Sequence, residues 1–179
     1  MKSAWFYALS FGAAFVALKL LAFLLQWQLH VIQPFVLLNM GFLTASIALF
    51  LYFKKRTETE SNILTDIKNG LSVGLPYTLL VSFFLFFYYK NIDPSFNAHK
   101  LAQIKAQMDS KAEIAQIRKS NQALENKTDQ EIRSLAKQNM SMMYNPQFTL
   151  SVSLLALLVY STLNSLLIAV IYRKVVFKS

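Results

Sequence analysis

Four long apolar runs, separated by polar stretches, dominate the hydrophobic pattern of the chain. They cover about residues 4–26, 34–53, 70–89 and 148–172. A helix needs roughly 20 apolar residues to cross the hydrocarbon core of a bilayer, and each run meets this length. The polar residues lie mainly between the runs, whereas a soluble core would interleave them. The pattern therefore predicts an all-α integral membrane protein with four transmembrane helices.

The polar stretch between the third and fourth runs, residues 90–147, has a helical period of its own. Its second part opens with a capping box, in which Thr128 covers the backbone N–H of Glu131 while Glu131 reaches back. We predict an extramembrane helical hairpin whose apolar face is formed by Leu101, Ile104, Met108, Ile132, Leu135 and Met140. Three roles stay open for this face: packing of the two helices on each other, docking of a partner protein, or lying in the headgroup layer.

Composition agrees with a lipid environment. The chain is 55% apolar and only 15% charged, and its net charge is +9. Many of the cations lie at the edges of the apolar runs, where they meet lipid phosphate, so we do not expect nucleic-acid binding. The absence of cysteine excludes disulfides and thiolate chemistry. No small-residue cleavage pattern follows the first run, which we expect to be a retained helix and not a signal peptide.

The distribution of lysine and arginine predicts the orientation. The cations that flank the runs on one side are Lys2, Lys54, Lys55, Arg56, Lys68, Arg173, Lys174 and Lys178, whereas the connection 27–33 on the other side has none. The positive-inside rule then puts both termini in the cytoplasm and residues 90–147 outside the bacterial inner membrane. The stretch 90–147 itself carries nine cations, but it is long and also holds six acids, so the short connections should decide.

Several segments, in a fixed order, carry a resemblance to a known family. They are Tyr88-Tyr89-Lys90-Asn91-Ile92-Asp93-Pro94-Ser95-Phe96, Thr128-Asp129-Gln130-Glu131-Ile132, Asn145-Pro146 and Ile171-Tyr172-Arg173-Lys174. In this order they resemble the Bacteroidota membrane family called domain of unknown function forty-one ninety-nine (DUF4199), over nearly the whole chain. The resemblance implies a four-span inner-membrane protein with no assigned activity. The family's usual glycine in the hairpin turn is absent, since Leu124-Glu125-Asn126-Lys127 stands there.

Two of the runs carry small residues at four-residue spacing, the pattern by which helices pack closely in lipid. The third run has Gly70, Gly74, Thr78 and Ser82, and the fourth has Ser161, Ser165 and Ala169, with Asn164 beside them. We favour packing of these faces within one bundle. A face for a different subunit, including a second copy of the chain, is the alternative.

Lys19 is the one charged residue well inside an apolar run. A lysine at mid-bilayer is costly and suggests an anion or proton site. However, its stem is long enough to carry the amine most of the way to the headgroups, and we favour that interpretation. The four predicted runs contain no acidic partner for Lys19, which argues against a proton relay.

The sequence contains no recognisable motif for catalysis, metal binding or phosphate binding. His30 and His99 have no obvious ligand companions, and there is neither a nucleophile elbow nor a phosphate-binding glycine loop. We therefore predict no catalytic residue, no cofactor and no metal site. The preferred function is that of a structural or accessory subunit, with residues 90–147 contacting a membrane or periplasmic protein. The alternative is a small transporter or channel lined by Lys19, Asn164 and a kink at Pro76, and a membrane enzyme comes third.

Overall fold

A computed structural model describes residues 3–27, 33–57, 62–107, 114, 118 and 126–177, with the backbone alone at residues 33 and 103–107. The chain divides into two compact units. Unit 1 comprises Met1–Phe84 and Ser151–Ser179, and unit 2 comprises Leu85–Leu150. The membrane helices pack on one another in unit 1, and the amphipathic segments lie in unit 2.

Helices make up all the regular structure of the described residues. They are α1 (Ala4–Leu24), α2 (Gln33–Thr57), α3 (Ile63–Phe87), α4 (Pro94–Gln107), α5 (Asp129–Met143) and α6 (Pro146–Ile171), with π-helical turns at Tyr88–Ile92 and Tyr172–Val176. Four helical stretches are long and apolar enough to cross a membrane: Ala4–Leu24, Pro34–Thr57, Ile63–Ile92 and Pro146–Val176. The predicted fold class, all-α with four transmembrane helices, is confirmed.

The third membrane helix begins earlier than its apolar run. The apolar run begins at about residue 70, whereas α3 starts at Ile63. The side chain of Asn62 explains the difference, because its Oδ1 accepts a hydrogen bond from the backbone N–H of Thr65 at 2.7 Å and so caps the first turn. Asp66 is thereby part of the membrane helix.

The interior of unit 1 combines large apolar side chains with small polar ones. Phe15, Leu43, Ile47, Val73, Tyr77 and Val81 are buried, and so are the hydroxyl residues Ser46, Thr78, Ser82, Ser161 and Ser165. Many leucines point outward instead, including Leu37 and Leu155, which are 69% and 67% exposed. Helices that associate in lipid are expected to place small and polar residues inside and leucines outside, because burying leucine gains little free energy there.

In unit 2, side-chain caps fix where the helices begin. Asp93 caps α4, since its Oδ1 accepts the backbone N–H of Phe96 at 3.1 Å. The predicted capping box of α5 is confirmed: the Glu131 N–H donates to Thr128 Oγ1 at 3.3 Å, and the Thr128 N–H donates to Glu131 Oε2 at 2.8 Å. Helices α4 and α5 contact each other, and Ile132 of α5 is buried.

Candidate functional site at the contacts between membrane helices

The small residues of α3 lie directly against those of α6. A Cβ atom placed on Gly70 would be 2.5 Å from Ser165 Oγ and 3.2 Å from Ser165 Cα. One turn further along, a Cβ on Gly74 would be 2.7 Å from Ser161 Cβ. The structure thus brings these four predicted residues together within unit 1, as a close helix contact that we call the α3–α6 seam.

The other predicted small residues are also buried. Thr78 and Ser82 of α3 are fully buried and Ala169 of α6 is 2% exposed. Within the described part of the chain, the hydroxyls of Thr78 and Ser82 have no hydrogen-bond partner. Leaving a buried hydroxyl without a hydrogen bond costs free energy, so these two groups lower the stability of the bundle.

Asn164 belongs to a polar cluster that joins α2 and α6. Thr44 Oγ1 lies 3.0 Å from the Tyr160 hydroxyl and 3.2 Å from Asn164 Oδ1. The amide Nδ2 of Asn164 donates to the Tyr160 carbonyl at 3.0 Å. Both ends of the Asn164 amide are therefore engaged by protein groups of the same bundle.

A second polar contact joins α2 and α3. The hydroxyl of the fully buried Tyr77 donates to Asn39 Oδ1 at 2.7 Å. In lipid, such interhelical hydrogen bonds contribute about 0.6–2 kcal/mol each. Together with the Thr44 cluster, this bond makes α2 the helix to which both α3 and α6 are hydrogen-bonded.

Lys19 is 4% exposed, and its ammonium lies 4.3 Å from the centroid of the Phe35 ring. An ammonium over an aromatic face is attracted by the ring quadrupole, and more strongly where water is excluded. Phe35 also lines an apolar groove of about 230 Å³ between α1 and α2, together with Leu18, Leu21, Ala22, Trp27, Pro34 and Leu38. The structure therefore gives Lys19 an aromatic neighbour that sequence reasoning did not identify.

Sequence reasoning also missed a charged cluster at one end of unit 1. Asp66 Oδ2 accepts hydrogen bonds from Lys55 Nζ at 3.0 Å and from Arg173 Nε at 2.7 Å. Asp66 is 5% exposed, so its charge is compensated inside the bundle and not by water. The three residues, which we call the Asp66 cluster, join the end of α2, the start of α3 and the π-helical turn after α6.

Aromatic side chains reinforce the same end of unit 1. The hydroxyl of Tyr172 donates to the carbonyl of Ala48 at 3.0 Å. The ring of Tyr52 lies 6.2 Å from that of Tyr172 and 5.7 Å from that of Phe177, between centroids. The backbone of α2 and the turn after α6 are thus held together by several side chains around the Asp66 cluster.

The predicted apolar face of residues 90–147 is described in part. Ile132 is buried, whereas Leu101, Leu135 and Met140 are half-buried. Met108 and the side chain of Ile104 lie outside the described residues. Beside this face, Met142 and Met143 are each 52% exposed. The amphipathic helix α5 thus buries one apolar residue and presents two methionines to the outside.

The capping box gives a test of α5. We expect Thr128→Ala to cost about 1 kcal/mol of local stability, which corresponds to about a fivefold loss of amide protection in α5. Hydrogen exchange of the full-length protein in detergent, read by mass spectrometry, measures it. Ser141→Ala is the matched control, because its hydroxyl donates to the Gln138 carbonyl within the same helix and does not cap it. Equal protection losses in the two variants would contradict the role assigned to Thr128.

The same cap should respond to pH. Hydrogen bonds from the backbone N–H and the hydroxyl of Thr128 hold the pKa of the Glu131 carboxyl below its usual value of 4.5. A carboxyl whose pKa is lower in the folded state stabilises that state above its unfolded pKa, and this contribution is lost as the pH falls through the folded pKa. We therefore expect α5 protection factors to drop below about pH 4.5 in the parent and to change less in Glu131→Gln.

Groups for acid–base or metal chemistry are dispersed. In the portion of the chain that the structure describes, no group of three or more His, Cys, Asp or Glu residues could hold a metal ion. Asp93 and Glu131 act as helix caps, and Asp66 forms ion pairs. His99 is exposed on α4, and His30 lies outside the described residues.

A family comparison covers the residues described above. The model of the family "Protein of unknown function (DUF4199)" matches residues 7–174 of the chain. The chain belongs to this family. No curated protein and no solved structure matches the chain. Residues 7–174 include all six helices almost completely, so the α3–α6 seam, the Asp66 cluster and the capping box of this DUF4199 protein all lie within the family region.

Proposed function

We propose that this DUF4199 protein is a structural or accessory subunit of a larger membrane assembly. The observation that carries the proposal is that polar side chains of the membrane helices hydrogen-bond one another between helices. Tyr77 bonds Asn39, and Thr44 bonds Tyr160 and Asn164. Polar side chains that bond one another across helices stabilise a fixed bundle, which suits a scaffold.

Residues 90–147 supply the interaction element of this proposal. Helix α5 is amphipathic, begins at a defined cap and carries the exposed Met142 and Met143. Methionine is flexible and polarizable, and is common at surfaces that bind proteins. The proposed partner is a membrane or periplasmic protein, with the chain in the bacterial inner membrane and both its termini in the cytoplasm.

Site-directed crosslinking in native membranes tests the proposal. A photoreactive amino acid at position 142 should form a reproducible crosslink to one protein, which affinity purification then identifies. The matched control places the same amino acid at Leu155, which is also strongly exposed but belongs to the membrane helix α6. We expect that position to give mainly lipid adducts.

Two results would overturn the proposal. One is a monomer that crosslinks no protein from position 142. The other is selective solute flux in liposomes containing only this protein, if Thr78→Val with Ser82→Ala abolishes that flux. The second result would favour the alternative of a small transporter or channel, because the unpaired hydroxyls of these two residues are polar groups available inside the bundle.

A further inference from the structure

Exposed cations surround the Asp66 cluster on all three of the segments that it joins. Arg56 lies in the last turn of α2, Lys68 lies in the second turn of α3, and Lys174 lies in the π-helical turn after α6; all three are exposed. We call these three residues the cationic rim. With Lys54, Lys55 and Arg173, the described residues at this end of unit 1 include six cations.

The positive charge of this end is not cancelled by acids. Asp66 is the one acidic residue in the described part of unit 1. The connection between α2 and α3 adds Glu58 and Glu60, which lie outside the described residues. Six cations against three acids leave a net positive surface, which attracts anions over about a Debye length.

The Asp66 cluster fixes where the rim cations are placed. Lys55, next to Arg56, and Arg173, next to Lys174, both bond Asp66, and Asp66 is two residues from Lys68. The backbone positions that carry the rim are therefore held together before any ligand arrives. Preorganisation of this kind lowers the cost of binding a multivalent anionic surface.

Exposed apolar residues adjoin the rim. Phe53, Ile63, Leu64 and Val175 are between 43% and 65% exposed, and each lies within a few residues of a rim cation. Cations beside outward apolar groups match the boundary between phosphate headgroups and acyl chains. A soluble anion would contact the cations but would gain nothing from these apolar neighbours.

We propose that the cationic rim binds the headgroups of anionic phospholipids. A basic residue near an anionic membrane surface contributes about 1 kcal/mol, which is about fivefold in affinity. Removing all three rim charges should therefore weaken binding of anionic lipid about 100-fold. The rim would thus select the lipids around this end of the bundle.

Thermal unfolding of the purified full-length protein in neutral detergent tests the proposal. Phosphatidylglycerol, phosphatidylcholine with the same acyl chains and inorganic phosphate are titrated in parallel. We expect phosphatidylglycerol to raise Tm at much lower concentration than phosphatidylcholine, and phosphate to have little effect. Arg56→Gln, Lys68→Gln and Lys174→Gln together should abolish the preference, and each single variant should reduce it in part.

The control variant carries Lys90→Gln, Lys100→Gln and Lys127→Gln, which remove the same net charge from unit 2. It should keep the preference for phosphatidylglycerol. Loss of the preference in this variant, equal effects of the two lipids on the parent, or a Tm shift with phosphate alone would each overturn the proposal. Should the triple rim variant fail to fold, the single variants decide, and three unchanged titrations would overturn it.

Discussion

Gly70→Ala is expected to destabilise the bundle by about 2 kcal/mol, because the added methyl group enters the α3–α6 seam where there is no room. Its carbon would lie 2.5 Å from Ser165 Oγ, 2.7 Å from Ser165 Cβ and 3.2 Å from Ser165 Cα. A backbone atom cannot be relieved by a rotamer change, and Ser165 Oγ is held by a 2.7 Å hydrogen bond to the Ser161 carbonyl. Reversible unfolding in mixed micelles, followed by circular dichroism, measures the loss.

Gly41→Ala is the matched control, since nothing lies within 4 Å of a Cβ at Gly41 in the middle of α2. Alanine is the better helix former, so this variant should be as stable as the parent or up to about 1 kcal/mol more stable. The rescue variant Gly70→Ala with Ser165→Gly moves the side-chain volume from α6 to α3, and we expect it to recover much of the loss. Equal destabilisation by both alanine substitutions, or no recovery in the double variant, would contradict the seam.

The seam shows how far the sequence alone could lead. The four-residue spacing of Gly70 and Gly74, and of Ser161 and Ser165, pointed to close helix contacts, because small side chains at that spacing share a face. The spacing does not state which face meets which. That pairing required the structure, in which each glycine lies against one of the serines.

The interhelical hydrogen bonds were beyond the sequence for a related reason. Thr44 and Tyr160 are 116 residues apart, and Asn39 and Tyr77 are 38 apart. A single polar residue in an apolar run forms no repeating pattern, so the sequence does not indicate which residue it bonds. The capping box of α5, in contrast, is local, and Thr128 and Glu131 could be paired from their spacing of three.

Sequence reasoning misses Asp66 because apolar residues alone define the predicted third span, which begins at about residue 70. The helix extends about two turns further towards its N-terminus than the apolar run, through Lys68 and Asp66, and the Asn62 cap satisfies its first turn. Asp66, Gly70 and Gly74 share the four-residue spacing, which puts Asp66 on the same face as the seam. That register was the available signal, and it places the carboxylate inside the bundle.

Asp66→Asn is expected to cost about 3 kcal/mol of unfolding free energy, because it removes the buried negative charge that Lys55 and Arg173 both bond. The side chains of Asp66, Lys55 and Arg173 are only 7%, 12% and 22% exposed, so water compensates little of the loss. Asparagine keeps the size and one acceptor oxygen, and the effect therefore reports the charge. The same micelle unfolding assay measures it.

Lys68→Gln is the control for charge at this end of the bundle. It changes an exposed residue two positions away and should stay within about 0.5 kcal/mol of the parent. A double-mutant cycle with Lys55→Gln measures the interaction energy between Asp66 and Lys55. If the two side chains stabilise each other, the double variant Asp66→Asn with Lys55→Gln should lose clearly less unfolding free energy than the sum of the two single losses. Additive losses, or a stability of Asp66→Asn equal to that of the parent, would mean that the Asp66 cluster does not hold α2, α3 and the turn after α6 together.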